Sequence, residues 1–299
     1  DAGVTSAWRA RARSDGTLIV SGISSASLDL GTDPLGTHDN NFVAAFDPDG
    51  TVLWTRSGLG SPGLHLGSAP DATVMLAGSF RQPLDLGGDL LVPQGGADGF
   101  VVQLDRDGSL VWQRALVGDQ SLGPTTLAVG PDGRVAVAGR AFGTVDFAQP
   151  AVAPQQASTF LATLEPDGQI SWGRLFPDSS DFPNVGLAHL AVDPAGHLSF
   201  IALVHGQIDF GGGPVTPGLQ LGPGYLVVGK LDACGDHLWS RTVGQYGGGG
   251  WLLSSLLGPS GDVVFSGQFG NYRPNGIALD FGGMVHTAEH QGLFLARLT

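Results

Sequence analysis

One ten-residue phrase is written four times along the chain. It reads DPDGTVLWTR at Asp47–Arg56, DRDGSLVWQR at Asp105–Arg114, EPDGQISWGR at Glu165–Arg174 and DACGDHLWSR at Asp232–Arg241. Its internal spacing never varies: an acid, Gly three residues on, Trp four after the Gly, and Arg two after the Trp. A period of tens of residues marks a chain built from one supersecondary unit, stacked so that neighbours bury each other.

Three further landmarks keep the same period. One is an aliphatic residue followed by Asp and then Phe or Leu, with acids at Asp29, Asp85, Asp146, Asp209 and Asp280. The next is a turn leading into an apolar run, as in SDGTLIVSG, PDATVMLAG, PDGRVAVAG, PAGHLSFIA and PSGDVVFSG. The last is an apolar segment opening at Phe42, Phe100, Phe160, Tyr225 and Phe294. Five units follow, at about 1–56, 57–114, 115–174, 175–241 and 242–299, in a single domain over 1–299. The fifth lacks the final phrase.

Each unit reads as four strands, here Leu127–Val129, Arg134–Gly139, Phe160–Glu165 and Gln169–Arg174. Short apolar blocks rich in Val, Ile, Phe and Thr suit strands, and no helical stripe of useful length occurs. The 49 Gly and 19 Pro punctuate these blocks at regular places, as turns do. Four-stranded antiparallel sheets repeated around an axis make an all-β, five-bladed β-propeller. Its last blade is expected to lack its outer strand. Trp8–Ala12 falls on the first strand of unit one, so residues 1–7 are too few to supply it. That leaves the strand at Phe294–Thr299 on an edge, and an unpaired edge invites another chain.

In this frame the phrase is a hairpin. Asp accepts local backbone hydrogen bonds, and Gly takes a positive φ. Trp and Arg share one face of the strand that follows. The Trp offers a large area to seal one blade against the next, and the Arg stem covers it while its head reaches an acid or water. A calcium loop would need further oxygens where Trp and Arg stand.

LAVGPDGRVAVAGRAFGTVDF (Leu127–Phe147) and DGFVVQLDRDGSLVWQR (Asp98–Arg114) resemble the bacterial SBBP-type β-propeller repeats, abundant in predicted exported proteins of myxobacteria and their relatives. The resemblance covers essentially the whole chain. It implies a propeller, an extracellular or cell-surface location and no catalytic signature to transfer. The family is often described as seven-bladed, whereas five units are written here.

A net charge of −13 argues against nucleic-acid partners, which need clustered cations. No apolar run approaches the roughly 18 residues of a membrane-spanning helix. The chain opens on Asp1 without a signal-peptide pattern, so a processed N-terminus is expected. Cys234 is the only cysteine, which excludes intrachain disulfides and multi-cysteine metal sites. No metal or cofactor is expected.

Counting back seven residues from each turn Gly, or from Ala72 in its place, gives Arg9, His65, Thr126, His189 and Ser254. Alternation puts this set on one face, around the central channel. It could hold an anion, sugar hydroxyls or a metal, or simply be a solvated wall. Two His without a matching carboxylate make a poor metal site. The five repeated acids suit turn and capping hydrogen bonds, with ion binding left open. Tyr246 and Trp251, flanking a glycine run, and Tyr272, within FGNYRPN, depart from the repeat and are candidate platforms for a saccharide. Glycoside hydrolysis needs two carboxyls. The only glutamates are Glu165 and Glu289, and no nucleophile elbow, zinc-protease motif or phosphate loop is written. The expectation is a non-enzymatic exported binding or scaffold module for a glycan or protein. The alternatives are an assembly subunit self-associating through residues 294–299, and then a glycosidase.

Overall fold

The computed structural model describes residues 5–13, 15–24, 30, 40–60, 63–69, 71, 73–147, 157–177, 186–204, 206–215, 224–246, 251–257, 262–269, 277–280, 285–288 and 292–298. Among these residues it is all-β, without helix. β1 (Thr5–Ala12), β2 (Leu18–Ser24), β3 (Asn40–Phe46) and β4 (Val52–Ser57) form the first sheet in chain order. The second is β5 (His65–Ser68), β6 (Val74–Phe80), β7 (Asp98–Leu104) and β8 (Leu110–Leu116). The third is β9 (Ser121–Val129), β10 (Val135–Phe142), β11 (Ala157–Leu164) and β12 (Ile170–Pro177).

The fourth sheet starts with β13 (Gly186–Val192) and β14 (Leu198–Val204). A small hairpin of β15 (Ile208–Asp209) and β16 (Pro214–Val215) intervenes before β17 (Gly224–Leu231) and β18 (His237–Tyr246) complete its main strands. The fifth sheet has β19 (Trp251–Leu257) and β20 (Val263–Phe269). The hairpin of β21 (Ile277–Asp280) and β22 (Val285–Ala288) leaves it to pair with β18 at Gly244–Leu279. β23 (Gly292–Leu298) then returns to β20. The fifth sheet thus has three strands, with β23 on its edge among the described residues.

Strand bounds differ from the sequence reading mainly in the first strand of unit three. Leu127–Val129 is only the end of β9, which begins at Ser121. The strand passes through Gly123 and Pro124 because the register slips by one residue at Thr125, a bulge that relieves the ladder beside the proline.

Side-chain alternation sends one face of each sheet forward and the other back, and successive sheets bury these faces together. Ile19, Val43 and Ala45 meet Leu76, Phe100 and Leu104. Met75, Ala77 and Val101 meet Val135, Val137 and Phe160. Ala136, Ala138 and Leu161 meet Phe200, Ala202 and Val227. Ile201 and Val228 meet Phe294 and Ala296. Each first strand also lies against the next: β1 by β5, β5 by β9, β9 by β13 and β13 by β19.

The repeated phrase accounts for the joints between sheets. In its turn the Asp105 carboxylate accepts the backbone N–H groups of Asp107 and Ser109 at 2.9 and 2.8 Å. Asp47 and Asp232 do the same in theirs. Glu165 is too long to close this small ring. It accepts instead from Arg134 and Ser171, and Asp167 takes over the N–H of Gln169. The Trp of one unit then docks on the turn of the next. The indole N–H groups of Trp54, Trp112 and Trp172 donate to the carbonyls of Arg106, Pro166 and Ala233, each at 2.9 Å. Their rings lie on Gly108, Gly168 and Gly235, where any Cβ would collide with them. The Arg is less uniform: Arg174 pairs with Asp236 in the following turn.

The second landmark covers an edge. Asp85 accepts from the N–H of Gly87, and Asp209 from Gly211 and Gly213, as the capping reading requires. The segment in unit three bridges Val145 to Gly118 beyond β8, and β15 packs on β12. β21 pairs with β18 in the same sense. The outer strands β8, β12 and β18 are thereby shielded by the unit that follows, which protects them from unwanted pairing. The Asp146 side chain faces a groove described below, Asp29 lies outside the described residues, and only the backbone of Asp280 is described.

Candidate functional site

The polar positions found by counting back occupy one register. Arg9 pairs with Ser21, His65 with Ala77, Thr126 with Ala138, His189 with Ile201 and Ser254 with Ser266. In β1, β9, β13 and β19 the residue just before that position is bulged. A bulge bends a strand and re-aims its side chains, so the same irregularity points the same position of each first strand.

Arg9 and His65 meet directly, with the Arg9 guanidinium donating to His65 Nδ1 at 2.9 Å. That bond requires a neutral imidazole carrying its proton on Nε2. Desolvation, and then the charge of Arg9, push the His65 pKa down to about 3. His189 is lowered by burial first and by Arg9 and Arg11 second, although it stands on β13 and they stand on β1. The charges of β1 thus act on a histidine of β13. Arg9 is itself lowered by desolvation and by Arg11. Thr126 is buried between these elements. Next to it, Thr125 donates its hydroxyl to Leu187 O at 3.0 Å and ties β9 to β13.

Arg11 was missed by the count, which took one residue per unit. It is two residues beyond Arg9 on the same strand, and a period of two would have found it. Among the described residues, no carboxylate is among the charges acting on Arg9, His65 or His189. No group of three His, Cys, Asp or Glu suited to a metal occurs among the described residues. Ser254 is on the shared register, but its side chain lies outside the described residues, as do those of Tyr246, at the end of β18, and Trp251, at the start of β19. Tyr272 lies outside them entirely. A second concavity, of about 580 Å³, opens on the outer side between the second and third sheets, lined by Gln113, Arg114, Asp146, Phe147 and Trp172 among others. It was not legible in the repeats, because it forms between units.

No family model matches the chain, and no curated protein matches it. Among solved structures it is similar to a protein of unknown function from Bacteroides caccae. The two are 11% identical over 80% of this chain and 82% of that one, with a TM-score of 0.30. It is also similar to the extracellular domain of a protein described as a hybrid two-component system from B. thetaiotaomicron. That match is 11% identical over 97% of this chain, with a TM-score of 0.41. The chain spans 33% of the length of that domain. Neither likeness adds a functional residue to the site.

Proposed function

We propose that the chain is a five-bladed propeller of SBBP type, acting outside the cell as a non-enzymatic binding module. Its axial wall takes an anionic group, a carboxylate for example, carried by a glycan or a protein. The observation that carries this reading is the cluster of Arg9, Arg11, His65 and His189. Positive charge gathers there in a chain of net −13, and among the described residues no acid is among the charges acting on Arg9, His65 or His189. Neutral His65 orients the Arg9 guanidinium without competing for its charge, which leaves a planar fork for a carboxylate. The turn chemistry of the acids supports the non-enzymatic part: Asp47, Asp85, Asp105, Asp209 and Asp232 spend their oxygens on local backbone N–H groups.

Calorimetric titration with oligogalacturonate, with a neutral oligosaccharide of equal length and with an acidic peptide tests it. Either anionic ligand should bind in a salt-dependent way and the neutral one should not. The Arg9→Ala/Arg11→Ala double substitution should weaken binding at least tenfold. Equal affinity for charged and neutral ligands, or binding unmoved by that substitution, contradicts the proposal. Release of chromophore from a panel of aryl glycosides, lost on replacing a single Asp, would contradict its non-enzymatic part.

A further inference from the structure

The joints run from the first sheet to the fourth and stop at both ends. Trp54, Trp112 and Trp172 each have a turn to dock on. Trp239, the fourth, packs beside Ala296, yet its indole N–H meets no acceptor among the described residues. At the other end the turn of the first sheet receives no Trp among the described residues. Gly108, Gly168 and Gly235 are buried under indole rings, while Gly50 is exposed and no described atom lies within 4 Å of where its Cβ would be. Its φ of 84° matches the 80–83° of the other three, so the socket is already shaped.

The edge strand of the fifth sheet is β23. Four residues before the turn acid, Val43, Val101 and Val228 are 0% exposed and Leu161 is 1%. The same position in β23 is Leu295, 76% exposed, and Leu293, two residues earlier, is 73% exposed. In the first sheet residues 9–12 of β1 are also exposed. Apolar clusters join sheets one to two, two to three, three to four and four to five, whereas among the described residues Phe42 and Ala44 on the back of the first sheet cluster with Leu30 and Phe46 of their own unit.

We propose that this seam is a docking site for one polypeptide strand written in the same phrase, acid-x-x-Gly-x-x-x-x-Trp, from outside these 299 residues. A single such strand completes three things together. It pairs antiparallel with β23 and covers Leu293 and Leu295. Its turn carbonyl accepts the Trp239 N–H. Its own Trp lies on Gly50. The three intact joints define the geometry of the two open ones, so the recognition is strand addition with a Trp anchor. A second copy of the chain does not fit this role, because its four phrases are already built into β4, β8, β12 and β18.

The probe is a labelled peptide with the sequence of Asp105–Arg114, titrated into the chain and followed by fluorescence anisotropy and amide exchange. A second arm appends that phrase directly after Leu298, in the register that joins Leu104 to Asp105. The expected result is saturable binding, at least tenfold weaker for the peptide with Trp replaced by Ala. Trp239→Phe, which keeps the ring but loses the N–H, should weaken it several-fold. So should Gly50→Asn, which tolerates the positive φ but fills the socket. Both variants should keep the parent's far-ultraviolet spectrum. The appended chain should show slowed exchange at residues 293–298 and a higher unfolding midpoint. Binding indifferent to the Trp and to both variants overturns the proposal, as does an appended chain with neither change. A dimer of the chain that buries β23 against its own copy also overturns it.

Discussion

Gly108 answers two demands in one residue. Its φ of 80° disfavours a side chain, and a Cβ would stand 2.6 Å from the Trp54 ring. Gly50 has the first demand without the second. Gly50→Ala should therefore cost about 1 kcal/mol, the strain of the left-handed conformation alone. Gly108→Ala adds overpacking and should cost about 3 kcal/mol. Urea unfolding of the two variants checks this, and equal losses would show that the Trp does not bear on the turn. Trp112→Phe keeps most of the ring area and loses the bond to Pro166, so it should cost about 1 kcal/mol. The turn glycines were legible from the sequence, because Asp-x-Asp-Gly is hairpin chemistry wherever it occurs. The Trp contact was legible only as a seal of unstated target, since the acceptor lies in the next repeat.

At the scale of the element, the first strands carry the site and the connecting segments shield the outer ones. β13 and β14 are held to β17 by the chain's only lysine. Lys230 Nζ is 2.9 Å from the Asp193 carboxylate, which also accepts the N–H groups of Ala195 and His197. Burial raises the Asp193 pKa. The Lys230 bond and the His197 N–H outweigh that and bring it below the ordinary value. A carboxylate lowered in this way adds stability above its unfolded pKa, which is lost as pH falls through the folded value. Lys230→Met should cost about 3 kcal/mol at pH 7, because a buried charge loses its partner. It should also raise the pH at which acid unfolding begins. Denaturant melts across pH 3–7 test both. The period-two pattern made the strands legible, but the first strand of unit three was read too short, because the chain carries Gly123 and Pro124 within the strand at a bulge. Edge shielding by the second landmark was invisible, because its Asp residues advertise only a local turn.

For the whole molecule, the central proposal is that the first strands curl about a shared axis and bring His189 near the Arg9–His65 pair and Arg11. Counting from the turn glycines found the shared register of this site. It did not find which members meet, because convergence depends on the angle between sheets and no single repeat records that angle. A histidine whose folded pKa is depressed takes its proton in the unfolded chain first. Lowering pH from about 6.5 toward 3 therefore withdraws stability through His65. His65→Gln should flatten that slope in thermal melts, and an unchanged slope would put the desolvated histidine elsewhere. The most direct measurement is a pH titration of the imidazole rings by NMR in the parent and in Arg9→Gln/Arg11→Gln. The account predicts a His65 ring still neutral at pH 5. It also predicts a His189 pKa below the usual 6.5 that rises when the two arginines of β1 are removed. A His189 that titrates as a free histidine, or ignores those arginines, would mean that β1 and β13 do not face a common axis.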